Sequence, residues 1–289
     1  MKSYKWIALI ITVMACNAVA DTKTKFNWAS TSAKVTEKIT KNNTVIILNY
    51  KISTEVTKAG HVVKQSDIVL ISPKTPAGKE AERDKIIRAM QLPNLLVDSN
   101  GNPLEIIDFD DYIRRVSSYW GTERASNLFQ SPQVRKMLFA TAQDKWCVWV
   151  CNWSELEIKG GKTKPKRTTT DYSGMMLPVT TTTEMVTNWN GSNNIKITQT
   201  SIIGGEAAIR EMTNFIQTFT QENNLPMKDG NNPSSQINEL SKGIIVRAVL
   251  NPSTLKPVTV VSEELTKISS GNESKSVSEK HEYTFEWEN

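Results

Sequence analysis

The sequence predicts an α+β fold built on mostly antiparallel strands. Three observations carry that expectation. Strand-like and helix-like segments come in blocks (strands, helices with a hairpin, strands, a helix, strands) and not in strict alternation. Asn100-Gly101 and Asn190-Gly191 each separate two strand-like runs, a strong hairpin signal. Finally, "KHEYTFEWE" places His281, Tyr283, Phe285 and Trp287 on one face of a strand and Glu282, Thr284, Glu286 and Glu288 on the other. Such alternation marks an antiparallel strand with one wet side.

Taken in chain order, the first 20 residues read as a processing signal. Lys2 and Lys5 form a positive start, "WIALIITVMA" is apolar, and Ala18 and Ala20 make an Ala-x-Ala cleavage pattern. The apolar run is shorter than the ~20 residues a bilayer-spanning helix needs. A second reading takes "VMAC" as similar to the bacterial lipobox, with Cys16 lipidated and Asn17 directing the product to the outer membrane. Soluble export to the periplasm and anchoring at Cys16 both remain open. Residues 21–289 are then expected to form one α+β domain, or two intimate halves at about 21–144 and 145–289.

Residues 21–34 read as a polar lead-in. "VTEKITKNNTVIILNYKISTEVTKAGHVVKQSDIVLISP" is strand-like, with turns at Asn42-Asn43 and Ala59-Gly60. Ile86, Ile87 and Met90 are spaced for a helix in "AGKEAERDKIIRAMQ". "NLLVDSNGNPLEII" is a hairpin, and Phe109, Tyr112, Ile113 and Val116 make one helical face directly after it. Ser131 and Pro132 open a further helix, as N-cap and first helical residue. Strands are expected again from Cys147 through "CVWVCNWSELEI" and in the hairpin around Asn190-Gly191. "GGEAAIREMTNFIQTFTQ" is a helix, "ENNLPMKDGNNPSSQ" a loop, and three strands close the chain.

The net charge of +5 and 7% aromatic content describe an ordinary folded chain, not a disordered one. Cys147 and Cys151 are the only cysteines after the signal. In a straight strand they would lie about 13 Å apart, beyond the ~7 Å limit for a disulfide, whereas a helical turn brings them to ~6 Å. A disulfide through irregular geometry and buried free thiols are both admissible. Three intervening residues do not suit a redox motif, and neither His61 nor His281 stands at a ligand spacing for zinc. No metal and no cofactor are expected.

"DSNGNPLEIIDF" mimics a calcium loop, but its glycine and final residue are misplaced, so it reads as a turn. Asp108, Asp110 and Asp111 read as a charge cap on a helix N-terminus, with paired carboxylates for hydrolysis as the alternative. Lys159, Lys162, Lys164, Lys166 and Arg167 form a basic stretch without aromatics. That speaks against nucleic acid and allows contact with anionic lipid headgroups, although a solvated loop is the plainer reading.

"LLVDSNGNPLEIIDFDDYIRRV" and the ending "EYTFEW" resemble bacterial exported proteins and lipoproteins in which a Val-Asp-x-x-Gly-Asn hairpin leads into a short helix. The resemblance implies the half-barrel of lipoprotein carriers, a curved antiparallel sheet with helices packed across one face. It assigns no functional residue. The expected function is a non-catalytic envelope protein that binds an apolar small molecule or an envelope protein. Trp146, Trp149, Trp153, Tyr283, Phe285 and Trp287 would line its interior. Two alternatives stand beside it: an interaction protein using a strand edge or the basic loop, and a carboxylate hydrolase. No nucleic-acid partner is expected, and membrane attachment only through an anchor on Cys16.

Overall fold

A computed structural model describes residues 23–74, 76–120, 131–172, 175–222, 237–270 and 273–288. Residues 1–20, where the processing signal is expected, with Cys16, and most of the loop after residue 222 lie outside these. The fold is α+β: one curved, unclosed antiparallel sheet of 12 strands, with helices on its concave face.

The amino-terminal strands β1 (Ser32–Lys41), β2 (Thr44–Thr57) and β3 (Gly60–Ser72) form a meander. The β1–β2 turn uses Asn42 and Asn43 at φ 47° and 67°, a left-handed pair that asparagine tolerates. At the next turn Gly60 has φ 144°, and a Cβ there would overlap the carbonyl oxygen of Val97. Gly60→Ala is therefore expected to cost more than about 1 kcal/mol in a urea titration. A variant as stable as the parent would mean that this turn relaxes freely.

The helix α1 (Glu80–Met90) precedes the hairpin β4 (Leu95–Val97) and β5 (Pro103–Ile106). Asp98 accepts the backbone N–H groups of Asn100 and Asn102, both at 2.8 Å, which shapes the hairpin turn. Next, α2 (Phe109–Trp120) buries Tyr112, Ile113 and Val116 as its spacing requires.

The helix α3 (Pro132–Trp149) departs from the expectation of a strand beginning at Cys147. Ser131 caps it by accepting the Val134 N–H, and it runs on through Trp149 into a short 3-10 turn, Cys151–Trp153. The difference has a magnitude behind it. Strand propensity for Trp and Val amounts to under about 1 kcal/mol per residue. Burying a tryptophan removes roughly 150–250 Å² from water, worth about 4 kcal/mol or more. Continued as helix and turn, the segment puts Trp146, Trp149, Val150 and Trp153 against the sheet, all at 0% exposure. The same geometry brings the Cys147 and Cys151 Cα atoms to 4.4 Å, and the pair closes as a disulfide.

The carboxy-terminal strands are β6 (Gly161–Lys162), β7 (Lys166–Tyr172), β8 (Met175–Val186), β9 (Ile195–Gly204), β10 (Ile237–Leu250), β11 (Pro257–Ser270) and β12 (Glu273–Trp287). Between β9 and β10, α4 (Glu206–Glu222) packs on Leu177, Val179, Ile203 and Leu240 through Ala208 in its first turn. The sheet order is β5-β4-β3-β2-β1-β12-β11-β10-β9-β8-β6, with β7 also paired to β8. First and last strands thus meet in mid-sheet, Val35 opposite Phe285 and Glu37 opposite Tyr283. The larger of two core clusters draws on both ends of the chain, and the smaller lies under α4.

The lead-in is not merely polar. Thr24, Phe26 and Trp28 alternate inward and are buried. The backbone of this segment hydrogen-bonds to loops, through Thr24 N–H to Leu156 O and Lys25 N–H to Pro252 O. Three inward residues are too few for a sequence pattern to stand out, yet Trp28 packs edge-on against Trp146 and Trp287 at 5.1 and 4.7 Å.

Candidate functional site: a cleft on the concave face

The concave face changes character from row to row across the sheet. One row, in cross-strand register, is Ile197, Ala248, Val260, Tyr283 and Glu37, apolar until its end. The next is Gln199, Val246, Ser262, His281 and Ile39, and the one after is Thr181, Ser201, Ile244, Glu264 and Glu279. The first row lies under the tryptophans of α3. The later rows floor a cleft of about 700 Å³ whose opposite wall is α3, through Thr141, Lys145 and Val148.

Beneath α1 the cavity changes again. A space of about 420 Å³ is walled by Ile46, Leu48, Leu70, Ile86, Ile87 and Met90, with Lys74, Lys79 and Arg83 around it. No residue of α1 is fully buried, so the helix spans this space without filling it. A third space of about 440 Å³ adjoins both: it shares Ile39, Met90 and His281 with the cleft, and Thr44, Ile46 and Met90 with the apolar end. Met90 lines all three. The result is a trough, apolar under α1 and increasingly polar toward β7 and β8.

A chain of alternating charges crosses its middle. Lys41 Nζ stands 2.6 Å from Glu279, and Glu279 lies 3.0 Å from His281 Nε2. His281 Nδ1 lies 2.9 Å from Glu37, whose other oxygen faces Lys145 Nζ at 3.6 Å. Glu37 is only 1% exposed. Only the imidazolium form can donate from both ring nitrogens, which is what two flanking carboxylates require. Burial opposes the charge on His281, but the hydrogen bonds to Glu279 and Glu37 outweigh it and raise the pKa to about 9. Burial likewise opposes ionisation of Glu37, and Lys145 and His281 overcome it, holding the pKa at about 2. For Glu279, the hydrogen bond to His281 leads, with Lys41 adding to it against burial, again to about 2. Burial, then the Glu37 charge, pushes the Tyr50 and Tyr283 hydroxyls above the ordinary tyrosine range, so both stay neutral beside it.

The sequence-predicted interior residues fall mostly elsewhere. Trp146, Trp149, Trp153 and Phe285 are core, and Trp287 packs at its edge, with its indole N–H donating to Pro257 O at 2.7 Å. Among the six, Tyr283 alone touches the cleft. The residues that the sequence reading did not single out, Glu37 above all, carry the charge. Their signal was present: Glu37 falls between Val35 and Ile39 in an alternating strand, an ionisable group on an inward position. Cys147 and Asn152 reach the cleft wall as well.

The carboxylates of the hydrolase alternative lie apart from the cleft lining. Asp110 pairs with Arg135 at 2.8 Å and Asp111 with Arg115 at 3.1 Å, while Asp108 accepts the Asn94 amide; all three are exposed at the start of α2, away from the trough. His61 stacks edge-on against Phe26. The basic stretch is not a plain loop: Lys162 belongs to β6, and Lys166 and Arg167 open β7, with Lys164 between the two strands. Among the described residues no group of side chains is arranged to hold a metal ion. Within the same residues no helix is long and apolar enough to cross a membrane.

No family model matches the chain, and no curated protein matches it. Among solved structures, it is similar to one described as lipid-protein interactions in lipovitellin, with a TM-score of 0.41 and 10% identity, over 90% of this chain and 25% of that one. The chain spans about a quarter of that protein. A likeness of this size carries no argument about function.

Proposed function

We propose that the protein binds an amphiphile, its apolar tail beneath α1 and its polar end on the floor of the cleft. One observation carries this reading: the three spaces adjoin one another at Met90, and their walls pass from mostly apolar to more polar from α1 to the cleft. Each space lies within the roughly 300–1,000 Å³ typical of small-molecule sites. A spare volume of this size between a helix and its sheet is otherwise costly, because interiors pack to the density of organic crystals. The protein acts in the cell envelope in this reading, exported by its first 20 residues and either freed at Ala20 or anchored at Cys16. The Cys147–Cys151 disulfide supports an oxidising compartment.

The test is native and denaturing mass spectrometry of protein produced with its own signal and extracted gently, together with the variant Ile46→Trp. Ile46 borders both the apolar space and the one that adjoins the cleft, so the indole occupies room that is already empty. The parent is expected to release an amphiphile, and the variant to keep its Tm and carry at least about tenfold less. Loss of the reading would follow from a parent that neither carries a ligand nor binds a fluorescent long-chain fatty acid. A variant that binds as well as the parent would also sink it.

A further inference from the structure

The trough ends at the sheet edge that carries the basic stretch. β6 and β7 pair only with β8, so they form the last strands on that side. In register, Lys166 lies opposite Thr181 and Thr168 opposite Val179, and both of these β8 residues line the cleft. Thr168 and Thr169 line it too. The cations therefore lie beside the β7–β8 wall of the cleft and are not scattered over the surface.

Their charge is only partly offset. Lys159 is paired with Glu157 at 2.6 Å, but Lys162, Lys164, Lys166 and Arg167 are exposed and form no ion pair among the described residues. Lys162 faces Glu184 across the strands without closing a bridge. From Lys159 to Thr170 the chain contains no acidic and no aromatic residue. Without aromatics there is nothing to stack on bases, and lysines at close spacing suit a diffuse sheet of negative charge better than one bound anion.

We propose that this cationic edge docks the protein on an anionic bilayer surface, with the mouth of the cleft against the lipid headgroups. The inference deepens the amphiphile reading, since the bilayer is then the source or destination of the ligand. Lysines on an edge strand also discourage pairing between sheets, and that plainer role predicts a different outcome.

The experiment is sedimentation of the processed, disulfide-intact chain with vesicles of phosphatidylcholine alone, or containing about one third phosphatidylglycerol. It is compared with the variant carrying Lys162→Ser, Lys164→Ser, Lys166→Ser and Arg167→Ser, and both samples are weighed for retained ligand by native mass spectrometry. The parent should bind the anionic vesicles at least about tenfold more tightly than the neutral ones and than the variant does. That preference should collapse when salt is raised to about 0.5 M. Retained ligand should be equal in the two proteins, which separates failure of docking from failure of the cleft reading. Equal binding of parent and variant overturns the proposal, as does equal binding to neutral vesicles. Self-association of the variant with vesicle binding unchanged would assign the cations to edge protection instead.

Discussion

Trp149→Ala is expected to lose about 4 kcal/mol of stability in a urea titration, the top of the range for core aromatic truncation being ~5. Trp149 is fully buried, and its ring meets Trp146, Tyr283 and Phe285 at centroid distances of 6.3, 5.4 and 5.8 Å. It also stacks on Tyr50 of β2 at 6.5 Å. One side chain thereby clamps α3 to β2 and β12, strands contributed by the two ends of the chain. Trp149→Phe, which keeps an aromatic ring at the site, should recover about half of the loss. A cost below about 1 kcal/mol for the alanine variant would show that α3 is held by something other than this ring.

Glu37→Gln is expected to cost about 3 kcal/mol at pH 6, because it leaves His281 and Lys145 charged beside a neutral amide. The pH dependence distinguishes this from loss of shape. His281 has its folded pKa raised from 6.5 to about 9, so its contribution is complete below 6.5 and is lost as pH rises through about 9. Glu37 and Glu279 have theirs lowered from 4.5 to about 2, so their contributions are complete above 4.5 and are lost as pH falls through about 2. All three therefore act in full between about pH 4.5 and 6.5. The difference between parent and variant, measured by urea titration, should be largest there and shrink by pH 10, where His281 is neutral. An equal difference at pH 6 and pH 10 would mean that charge at Glu37 is not what stabilises the site.

Local signals were readable where one residue or one pair determines the backbone. Asn42-Asn43, Gly60 and Asn100-Gly101 mark turns because few residues tolerate those dihedral angles, and each turn lies where it was expected. Period-two alternation likewise made β12 legible, with Tyr283 and Phe285 inward and Thr284 and Glu286 exposed. The tryptophan segment was misread because strand propensity and helical spacing pointed in opposite directions there. Only the presence of a sheet to bury against decides such a conflict.

The site was less legible than the fold, for a related reason. Its charged residues lie far apart in the chain: Glu37 and His281 meet only because β1 and β12 are neighbours in mid-sheet. No spacing rule connects positions 244 residues apart. Lys145 joins them because α3 carries it to the carboxylate.

By itself, then, the sequence determined the α+β class, the antiparallel pairing and most turns, since these follow from dihedral preferences and from side-chain alternation along short stretches. The tertiary structure alone decided that Trp146, Trp149 and Trp153 are core and not cleft, that a buried carboxylate faces a histidine from the other end of the chain, and that the basic stretch borders a cavity. Those outcomes depend on which strands become neighbours and on how much space a helix leaves above a curved sheet. Both are set by packing between distant segments, and no local preference encodes them.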